Sequence, residues 1–398
     1  MSNLRQQIKR KISPINLDSV VFTSFNGRYS DSPKAISEKL HELAPEIPII
    51  WLVTADQLKS VPIYAKAIDI NSRSGEEARN KARVRIDNVF CDVSTNLNNT
   101  DLKSLLLFAL KTYLKTKKTQ RRYTTWHGTP LKMMGRDQIG NTTIGFSCPN
   151  TTLLLGNVFT KNVMERITYG VVPVRILGSP RNDLLFNVTS KDITVKKTEL
   201  GLPTNKKVLL FAPTFRSDGE INNDNVFRSG INQLELMDVP KLLDAFSERF
   251  SSEWVLVCRF HYHVDAKINW EDIAVRYNGS ILNGNSFPDM SDYLLCADAL
   301  ITDASSCMFD YLLTGKPCFL FFPDLENYTK VERGTYFDID ELPFSCSQSF
   351  ENLLNSVANF DEVTFASKCN SFLNRIGNAD DGHASERVVE MIIHDFER

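Results

Sequence analysis

The chain has 398 residues, of which 42% are hydrophobic and 24% are charged, and its formal net charge is −2. A chain of this length exceeds the size at which one hydrophobic core stops growing, so two domains of about 150 to 200 residues are expected. The near-neutral charge gives no electrostatic footprint for DNA or RNA, and a nucleic-acid partner is therefore not expected.

The apolar runs and the cysteines predict where the protein works. No run reaches the roughly 18 apolar residues of a membrane-spanning helix, and the N-terminal "MSNLRQQIKRKISPI" lacks the apolar core of a signal peptide. The eight cysteines form no C-x-x-C pair, as is typical of free thiols in a reducing compartment. We therefore expect the protein on the cytoplasmic side.

Short apolar runs recur along the chain, most of them followed by turn residues and a helical pattern, which is typical of β-α units around a parallel sheet. The first series is "SVVFTSF", "IPIIWLVT", "RVRIDNVFC", "RRYTTW", "TTLLLG" and "VRILG". The second series is "KKVLLFAPTF", "EWVLVCRFH", "AVRYN", "ADALITD" and "PCFLFFP". A polar, lysine-rich stretch that starts at "GSPRND" separates them, as an interdomain connection would. We predict two doubly wound Rossmann-like domains, residues 1–185 and 186–398.

Two segments are basic, "LRQQIKRKI" near the N-terminus and "LKSLLLFALKTYLKTKKTQRR" before the fourth apolar run. Helices that join an apolar face to a cluster of Lys and Arg are typical of elements attracted to anionic lipid. A core-facing helix with a solvated basic end has the same pattern. The sequence leaves both interpretations open.

One histidine, His127, follows the strand-like run "RRYTTW" and precedes a Gly128-Thr129-Pro130 turn. At the carboxyl end of a strand its side chain could face a cleft. A neutral imidazole can take a proton from an attacking hydroxyl at physiological pH. A lone histidine is also common as a structural residue, so this motif alone makes catalysis a hypothesis.

Two further histidines, His261 and His263, end the run "WVLVCRFHYHV". Alternate residues of a strand point to the same side, so both could face one ligand. A zinc site would need further ligands, and no Cys or His with metal-site spacing is near. The acidic triplet "DID" at 338–340 has no second acidic cluster. We therefore predict phosphate or proton chemistry without an obligatory metal or cofactor.

Other strand ends carry hydroxyls and guanidinium groups, which suit phosphate oxygens. In "ITDASSCMFDYLLTGKP" the serines precede a helical pattern, where they either cap the helix or help its free N–H groups to bind a phosphate. A Rossmann glycine fingerprint and a P-loop are both missing, which disfavours NAD chemistry and ATP hydrolysis. These strand-end residues are Arg181, Thr214, Arg216, Asp303, Ser305 and Ser306.

Taken together, the motifs resemble those of the CDP-glycerol glycerophosphotransferase family, which includes teichoic-acid primases and polymerases of Gram-positive bacteria and related capsule enzymes. The resemblance extends from residue 26 nearly to the C-terminus. The motifs that carry it are "WHGTPLKMMGRD", "GSPRND", "FAPTFR", "RFHYH", "TDASSCMFDYLLTGKPCFLFFPDLENY" and "RGTYFDIDELPF".

The resemblance implies a GT-B-like fold, with two Rossmann-like domains facing a central cleft. The C-terminal domain would hold a CDP-activated polyol donor, and the N-terminal domain would receive the acceptor. The reaction would move glycerol phosphate from CDP-glycerol to a hydroxyl of a polyprenyl-diphosphate-linked saccharide and release CMP. This would occur at the cytoplasmic face of the membrane, on an anionic lipid surface. CDP-ribitol or another nucleotide donor, and a non-catalytic scaffold, remain alternatives.

The same resemblance assigns roles to residues. His127 would be the general base, and His261 would orient or neutralise the transferred phosphate. Donor-binding roles fall to the matching motif positions, and the role of His263 stays open. The implied donor-binding residues are Arg181, Thr214, Arg216, Asp303, Ser305, Ser306 and Arg333.

Overall fold

The structure is a computed structural model. It describes residues 8, 11–12, 14–89, 93–96, 106, 109–110, 113–114, 119–138, 143–146, 150–168, 170, 172–214, 233–260, 265, 268–287, 289–326, 328 and 334–397. For 93–96 and 143–146 only the backbone is described.

The strands are numbered in chain order. They are β1 (Leu17–Phe22), β2 (Ile49–Val53), β3 (Lys66–Asp69), β4 (Ala82–Asp87), β5 (Val93–Asn96), β6 (Arg121–Thr124), β7 (Thr143–Phe146), β8 (Thr151–Leu155), β9 (Val174–Ile176), β10 (Lys207–Ala212), β11 (Trp254–Cys258), β12 (Ile281–Asn283), β13 (Ala299–Thr302), β14 (Cys318–Phe321) and β15 (Ser345–Ser347).

The α-helices of the described residues are numbered in the same way. They are α1 (Asp31–Leu43), α2 (Arg73–Lys81), α3 (Val158–Ile167), α4 (Ser190–Glu199), α5 (Val239–Phe250), α6 (Trp270–Arg276), α7 (Met290–Cys296), α8 (Cys307–Tyr311), α9 (Phe350–Ala358), α10 (Glu362–Ile376) and α11 (Ala384–Glu397).

The chain divides into two compact units. The first consists of Met1–Thr129, Met134–Phe186 and Ile376–Arg398, and the second of Pro130–Met133 and Asn187–Arg375. A single boundary at residue 185 therefore does not describe this division, because two segments belong to the unit that the prediction did not give them. Local sequence patterns do not reveal that a segment packs with the other unit, because this depends on tertiary packing.

The first unit is built on a parallel sheet with the strand order β3-β2-β1-β4-β6-β8-β9, and β5 pairs with β7 in a separate antiparallel ribbon. The order runs outward from β1 to β3 and then reverses to β4, which is the doubly wound arrangement. Ligands of such sheets bind beyond the carboxyl ends of the strands at this reversal. In the first unit the reversal lies between β1 and β4.

The C-terminal helix α11 completes the core of the first unit. Val388, Val389 and Ile392 are buried in the same cluster as Phe22 and Trp51 of β1 and β2. Asp183 also receives hydrogen bonds from the first N–H groups of the helix, at Ala384 and Ser385. The "GSPRND" motif therefore helps to hold the C-terminal helix in place, whether or not it also contacts a substrate.

Ile392→Ala is expected to lower the free energy of unfolding by about 2 to 5 kcal/mol, because it leaves a cavity in this core. The measurement is urea unfolding followed by tryptophan fluorescence. Val363→Ala is the control, since Val363 is 79% exposed, and it should change stability by less than about 0.5 kcal/mol. Equal stability of the two variants would contradict the packing of α11 in this core.

The second unit contains a parallel sheet with the order β12-β11-β10-β13-β14-β15, which reverses between β10 and β13. Its central strands are fully buried, and Phe246 of α5 packs edge-on against Phe319 of β14 with ring centroids 5.7 Å apart. Pro130–Met133 belongs to this unit because Lys132 forms a bridge with Thr335, and Tyr336 donates a backbone hydrogen bond to Leu131. The two predicted doubly wound sheets are thus present.

One predicted strand is wrong. "AVRYN" (274–278) was assigned to the strand series, whereas the structure places helix α6 over Trp270–Arg276 and the next strand at Ile281–Asn283. Asn269 caps the start of this helix, since its side-chain oxygen accepts from the backbone N–H groups of Glu271 and Asp272. The cap outweighs the β-propensity of a short Val- and Tyr-containing run.

Among the described residues, no helix has both the length and the apolar character needed to cross a bilayer. The predicted membrane-facing segments lie largely outside the described residues, including Lys115, Lys117 and Lys118. In the described part, Lys11 donates to the backbone oxygen of Tyr113 and lies 4.2 Å from the centre of its ring. Lipid binding by these segments stays a prediction.

Candidate active site

His127 lies three residues beyond the carboxyl end of β6. Its neighbours Trp126 and Gly128 have positive φ angles of 54° and 123°, so the backbone turns sharply on both sides of the histidine. The ring nitrogen Nδ1 is 3.0 Å from the backbone oxygen of Asn88. A carbonyl oxygen only accepts hydrogen bonds, so Nδ1 carries the proton and Nε2 is the basic nitrogen of the neutral ring.

Aromatic rings border the imidazole. The Trp126 ring centroid is 3.9 Å from that of His127, and the Phe25 ring centroid is 5.7 Å away. Phe25 follows β1, Asn88 follows β4 and His127 follows β6, so the loops of three neighbouring strands meet at this point. The group lies where the sheet order reverses, which is the ligand-binding position of doubly wound folds.

A buried ion pair contributes to the electrostatics of His127. Arg181 donates to a carboxylate oxygen of Asp31 at 2.8 Å, and each side chain is only 9% exposed. Burial lowers the pKa of His127, and the Arg181 charge acts in the same direction, whereas the hydrogen bond to Asn88 and the Asp31 charge raise it. The net pKa lies below its ordinary value of about 6.5. His127 is therefore neutral at physiological pH, as a general base must be.

The rest of the "HGTP" turn is fixed by a buried asparagine. The Asn157 side chain donates to the Thr129 hydroxyl at 2.7 Å. Its side-chain oxygen also accepts from the backbone N–H of Thr160, and Asn157 thereby caps helix α3. One side chain thus anchors the turn to the start of a helix. This contact limits the freedom of the segment that follows His127.

In the second unit, Asp303 organises the carboxyl ends of β10 and β13. One of its carboxylate oxygens accepts from the backbone N–H of Thr214 at 2.7 Å, and the other accepts from the side chain of Gln233 at 3.1 Å. Asp303 is fully buried. Asp303 therefore holds the loop at the sheet reversal, and Thr214 is a half-buried residue of that loop.

Ser305 and Ser306 follow β13 and are half-buried. The Ser305 hydroxyl accepts a long hydrogen bond of 3.5 Å from the backbone N–H of Cys307, the first residue of α8. This helix has five residues, continues as a single 3-10 turn over Leu312–Thr314, and ends at Gly315 with a left-handed φ of 65°. The predicted helix and its glycine stop are present, and the serines stand at its start.

Arg181 belongs to the first unit, together with His127, and not to the unit that contains Thr214 and Asp303. The predicted residues Arg216, His261, His263 and Arg333 lie outside the described residues. In the part of the chain that the structure describes, no group of three or more His, Cys, Asp or Glu side chains is arranged to hold a metal ion. Metal independence stays a prediction.

Several residues of these sites were missed at the level of sequence, among them Asn88, Asp31 and Gln233. Asn88 carries a signal, since it directly follows the alternating run "ARVRID" at a strand end. Asp31 and Gln233 carry none, because their partners Arg181 and Asp303 are 150 and 70 residues away. Only the tertiary structure brings these pairs together.

Two doubly wound parallel sheets, with His127 at the strand ends of one and Thr214, Ser305 and Ser306 at the strand ends of the other, define a GT-B-like protein. The chain belongs to the CDP-Glycerol:Poly(glycerophosphate) glycerophosphotransferase family, and the model of that family matches residues 5–394.

Relatives named for glycerol phosphate match along nearly the whole chain. It is 28% identical to the teichoic acid poly(glycerol phosphate) polymerase of Staphylococcus epidermidis over 95% of its own length and 51% of the relative's. It is also 28% identical to the teichoic acid glycerol-phosphate transferase of Staphylococcus aureus, covering 95% of this chain and 93% of that protein. The chain spans about half the length of the polymerases of S. epidermidis and Bacillus subtilis, at 51% and 49%.

The fold is similar to solved structures of the wall teichoic acid polymerase TagF. One of them, a histidine variant soaked with CDPG, superposes with a TM-score of 0.74 at 26% identity and covers 98% of this chain and 90% of that one. The predicted GT-B-like class and the predicted family are both confirmed.

Proposed function

We propose that the protein transfers glycerol phosphate from CDP-glycerol to a hydroxyl of a polyprenyl-diphosphate-linked saccharide and releases CMP, in the synthesis of a teichoic-acid or capsule-type polymer. The observation that carries this proposal is the geometry of His127 at the strand ends of the first sheet. Its Nδ1 contacts the backbone oxygen of Asn88 at 3.0 Å, which leaves Nε2 as the basic nitrogen, and burial lowers its pKa. Membership of the family supplies the class of donor and reaction.

In the proposed reaction, the acceptor hydroxyl oxygen attacks the donor phosphorus that bears glycerol. Nε2 of His127 takes the hydroxyl proton as the new P–O bond forms. The bond from this phosphorus to the oxygen shared with CMP breaks, and CMP leaves with the electron pair. His261 is proposed to neutralise the transferred phosphate.

Hydroxyl and backbone N–H groups of the second unit are proposed to hold the pyrophosphate of the donor. Thr214, Ser305 and Ser306 stand at strand ends beside the sheet reversal, and Arg216 and Arg333 are proposed to add positive charge there. Asp303 acts indirectly, because both of its oxygens accept hydrogen bonds from the loops that it connects. Negatively charged oxygens bind well to such preorganised donors.

The relatives also support a second donor, CDP-ribitol. Proteins named for ribitol phosphate match this chain at 26% to 30% identity, but over about half of it, for example 58% with the Bacillus spizizenii polymerase. Those named for glycerol phosphate match over 95%. The difference in coverage favours glycerol.

Release of CMP is expected from CDP-glycerol and not from CDP-ribitol when each donor is incubated with a lipid-linked disaccharide acceptor. The rate is expected to be unchanged by EDTA, since the proposed step uses protein groups alone. CMP is measured by chromatography, with and without acceptor. Release from CDP-ribitol alone would establish the second donor, and loss of activity in EDTA that Mg²⁺ restores would contradict metal independence.

A further inference from the structure

Asn88 connects His127 to the loop that follows β1. It lies directly after β4, at the reversal of the sheet, and is fully buried. Its backbone oxygen contacts Nδ1 of His127 at 3.0 Å, and its side-chain oxygen Oδ1 accepts from the backbone N–H of Phe25 at 2.9 Å. One residue therefore holds both the imidazole and an aromatic ring beside it.

The loop that Asn88 holds is strained. Phe25, Asn26 and Gly27 have consecutive positive φ angles of 42°, 61° and 124°, and a bulky residue such as phenylalanine rarely adopts this conformation. Phe25 is nevertheless 41% exposed, so burial of its side chain in the core does not explain the strain. Strained backbone that the surrounding contacts maintain is concentrated at functional sites.

Contacts on both sides keep this turn in place. Gly27 and Arg28 donate backbone hydrogen bonds to Ser24, and Thr54 donates one to the Gly27 oxygen, each between 2.8 and 2.9 Å. A Cβ atom at Gly27 would lie 2.9 Å from the backbone nitrogen of Thr54, so no other residue fits there without a shift. These backbone contacts hold the turn whose Phe25 ring lies 5.7 Å from the imidazole.

We propose that Asn88 is a positioning residue for His127. Its backbone oxygen keeps the proton on Nδ1, so that Nε2 is the nitrogen that accepts the acceptor's proton. Its side chain holds the Phe25 turn, whose ring shields the imidazole from water. The inference rests on the proposed function in one respect, the role of His127 as the base.

The environment of His127 gives this role a measurable signature. Burial is the largest contribution to its lowered pKa, and the charged groups that act on it are Asp31 and Arg181. Both charged groups stay in place when only Asn88 or Phe25 is changed. A change that releases the Phe25 ring hydrates the imidazole and therefore raises its pKa.

The test is an NMR titration of the protein labelled with ¹⁵N-histidine, which requires no substrate. The His127 signal is assigned by its loss in His127→Gln, since the chain has six histidines. In the wild type, His127 is expected as the Nδ1–H tautomer. In Asn88→Ala its pKa is expected to rise by about one pH unit, because the Phe25 turn loses its side-chain acceptor, while the backbone oxygen of residue 88 keeps the Nδ1–H tautomer. The kcat for CMP release should fall about tenfold, with KM for CDP-glycerol nearly unchanged.

Two further variants separate positioning from simple loss of stability. Phe25→Leu removes the ring but keeps an apolar side chain, and the pKa of His127 should rise in it as well. Asn88→Asp keeps an acceptor for the Phe25 N–H, so the Phe25 turn should persist while the added charge raises the pKa of His127. Ser72→Ala is the matched control, because it removes a side-chain cap of α2 in the same unit, and it should leave the titration of His127 unchanged.

An unchanged His127 titration in folded Asn88→Ala would overturn the proposal. If that variant does not fold, an unchanged titration in Phe25→Leu and Asn88→Asp would do the same. An NMR spectrum of the wild-type protein that shows the His127 proton on Nε2 would also overturn the proposal. Failure of the proposed function would show separately, as absence of CMP release from a wild-type protein whose NMR titration behaves as expected.

Discussion

His127→Gln is expected to reduce the rate of CMP release from CDP-glycerol about a thousandfold, because the variant has no group that can take the acceptor's proton. Glutamine keeps a polar side chain of similar length, so the turn between Trp126 and Gly128 should persist. KM for the donor is expected to change little, since His127 lies in the first unit and the proposed donor contacts lie in the second. The measurement is steady-state kinetics at saturating acceptor.

His394→Gln provides the control for this prediction. His394 is an exposed residue of α11, with 56% of its side chain accessible, and its replacement should leave both kcat and KM unchanged. The pH dependence is a second check. Activity should persist below pH of about 6.5 and decline only as the pH falls through the lowered pKa of His127, where the imidazole becomes charged. A folded His127→Gln protein with wild-type kcat would remove His127 from its role.

Asp31→Asn is expected to lower the free energy of unfolding by about 3 kcal/mol, because it removes the negative charge that pairs with the buried guanidinium of Arg181. Asparagine tolerates the positive φ of 63° at this position, so backbone strain does not contribute. The same change removes the charge that raises the pKa of His127, and that pKa should fall further. The acid limb of the pH profile should therefore move to lower pH.

Arg181→Met should have the opposite effect on His127. It removes the positive charge and leaves the Asp31 carboxylate, so the pKa of His127 should rise and the acid limb should move to higher pH. The double variant Asp31→Asn/Arg181→Met is the matched control for stability, and it should be more stable than the sum of the two single losses predicts. A raised donor KM in Arg181→Met, with no shift of the acid limb, would instead support the donor-binding role inferred from the sequence.

Much of the fold could be predicted from the sequence, because buried parallel strands appear as continuous apolar runs. β2, β10 and β14 are examples, with every residue or all but one buried. Five strands were missing from the predicted series, β3, β5, β7, β12 and β15. β3 ("KAID"), β12 ("ILN") and β15 ("SCS") are short strands at sheet edges, and β5 and β7 form a separate ribbon, so none of them stands out from loops as a long apolar run.

The candidate site could be predicted in part for a related reason. His127, Thr214 and Ser305 each follow an apolar run, and the ligand-binding ends of parallel strands are recognisable from this pattern. What local sequence does not contain is the partner of each residue. Arg181 pairs with Asp31, and the buried Asp303 accepts a hydrogen bond from the backbone N–H of Thr214; neither partner could be predicted from local sequence.

The proposed transfer is tested most directly by mass spectrometry of the lipid-linked disaccharide after incubation with CDP-glycerol, combined with CMP quantification in the same samples. The acceptor is expected to gain glycerol phosphate, with one CMP released for each unit added, and neither product should form with His127→Gln. CMP release without any gain of mass on the acceptor would show hydrolysis of the donor rather than transfer. That result would contradict the assignment of His127 as the base that activates an acceptor hydroxyl.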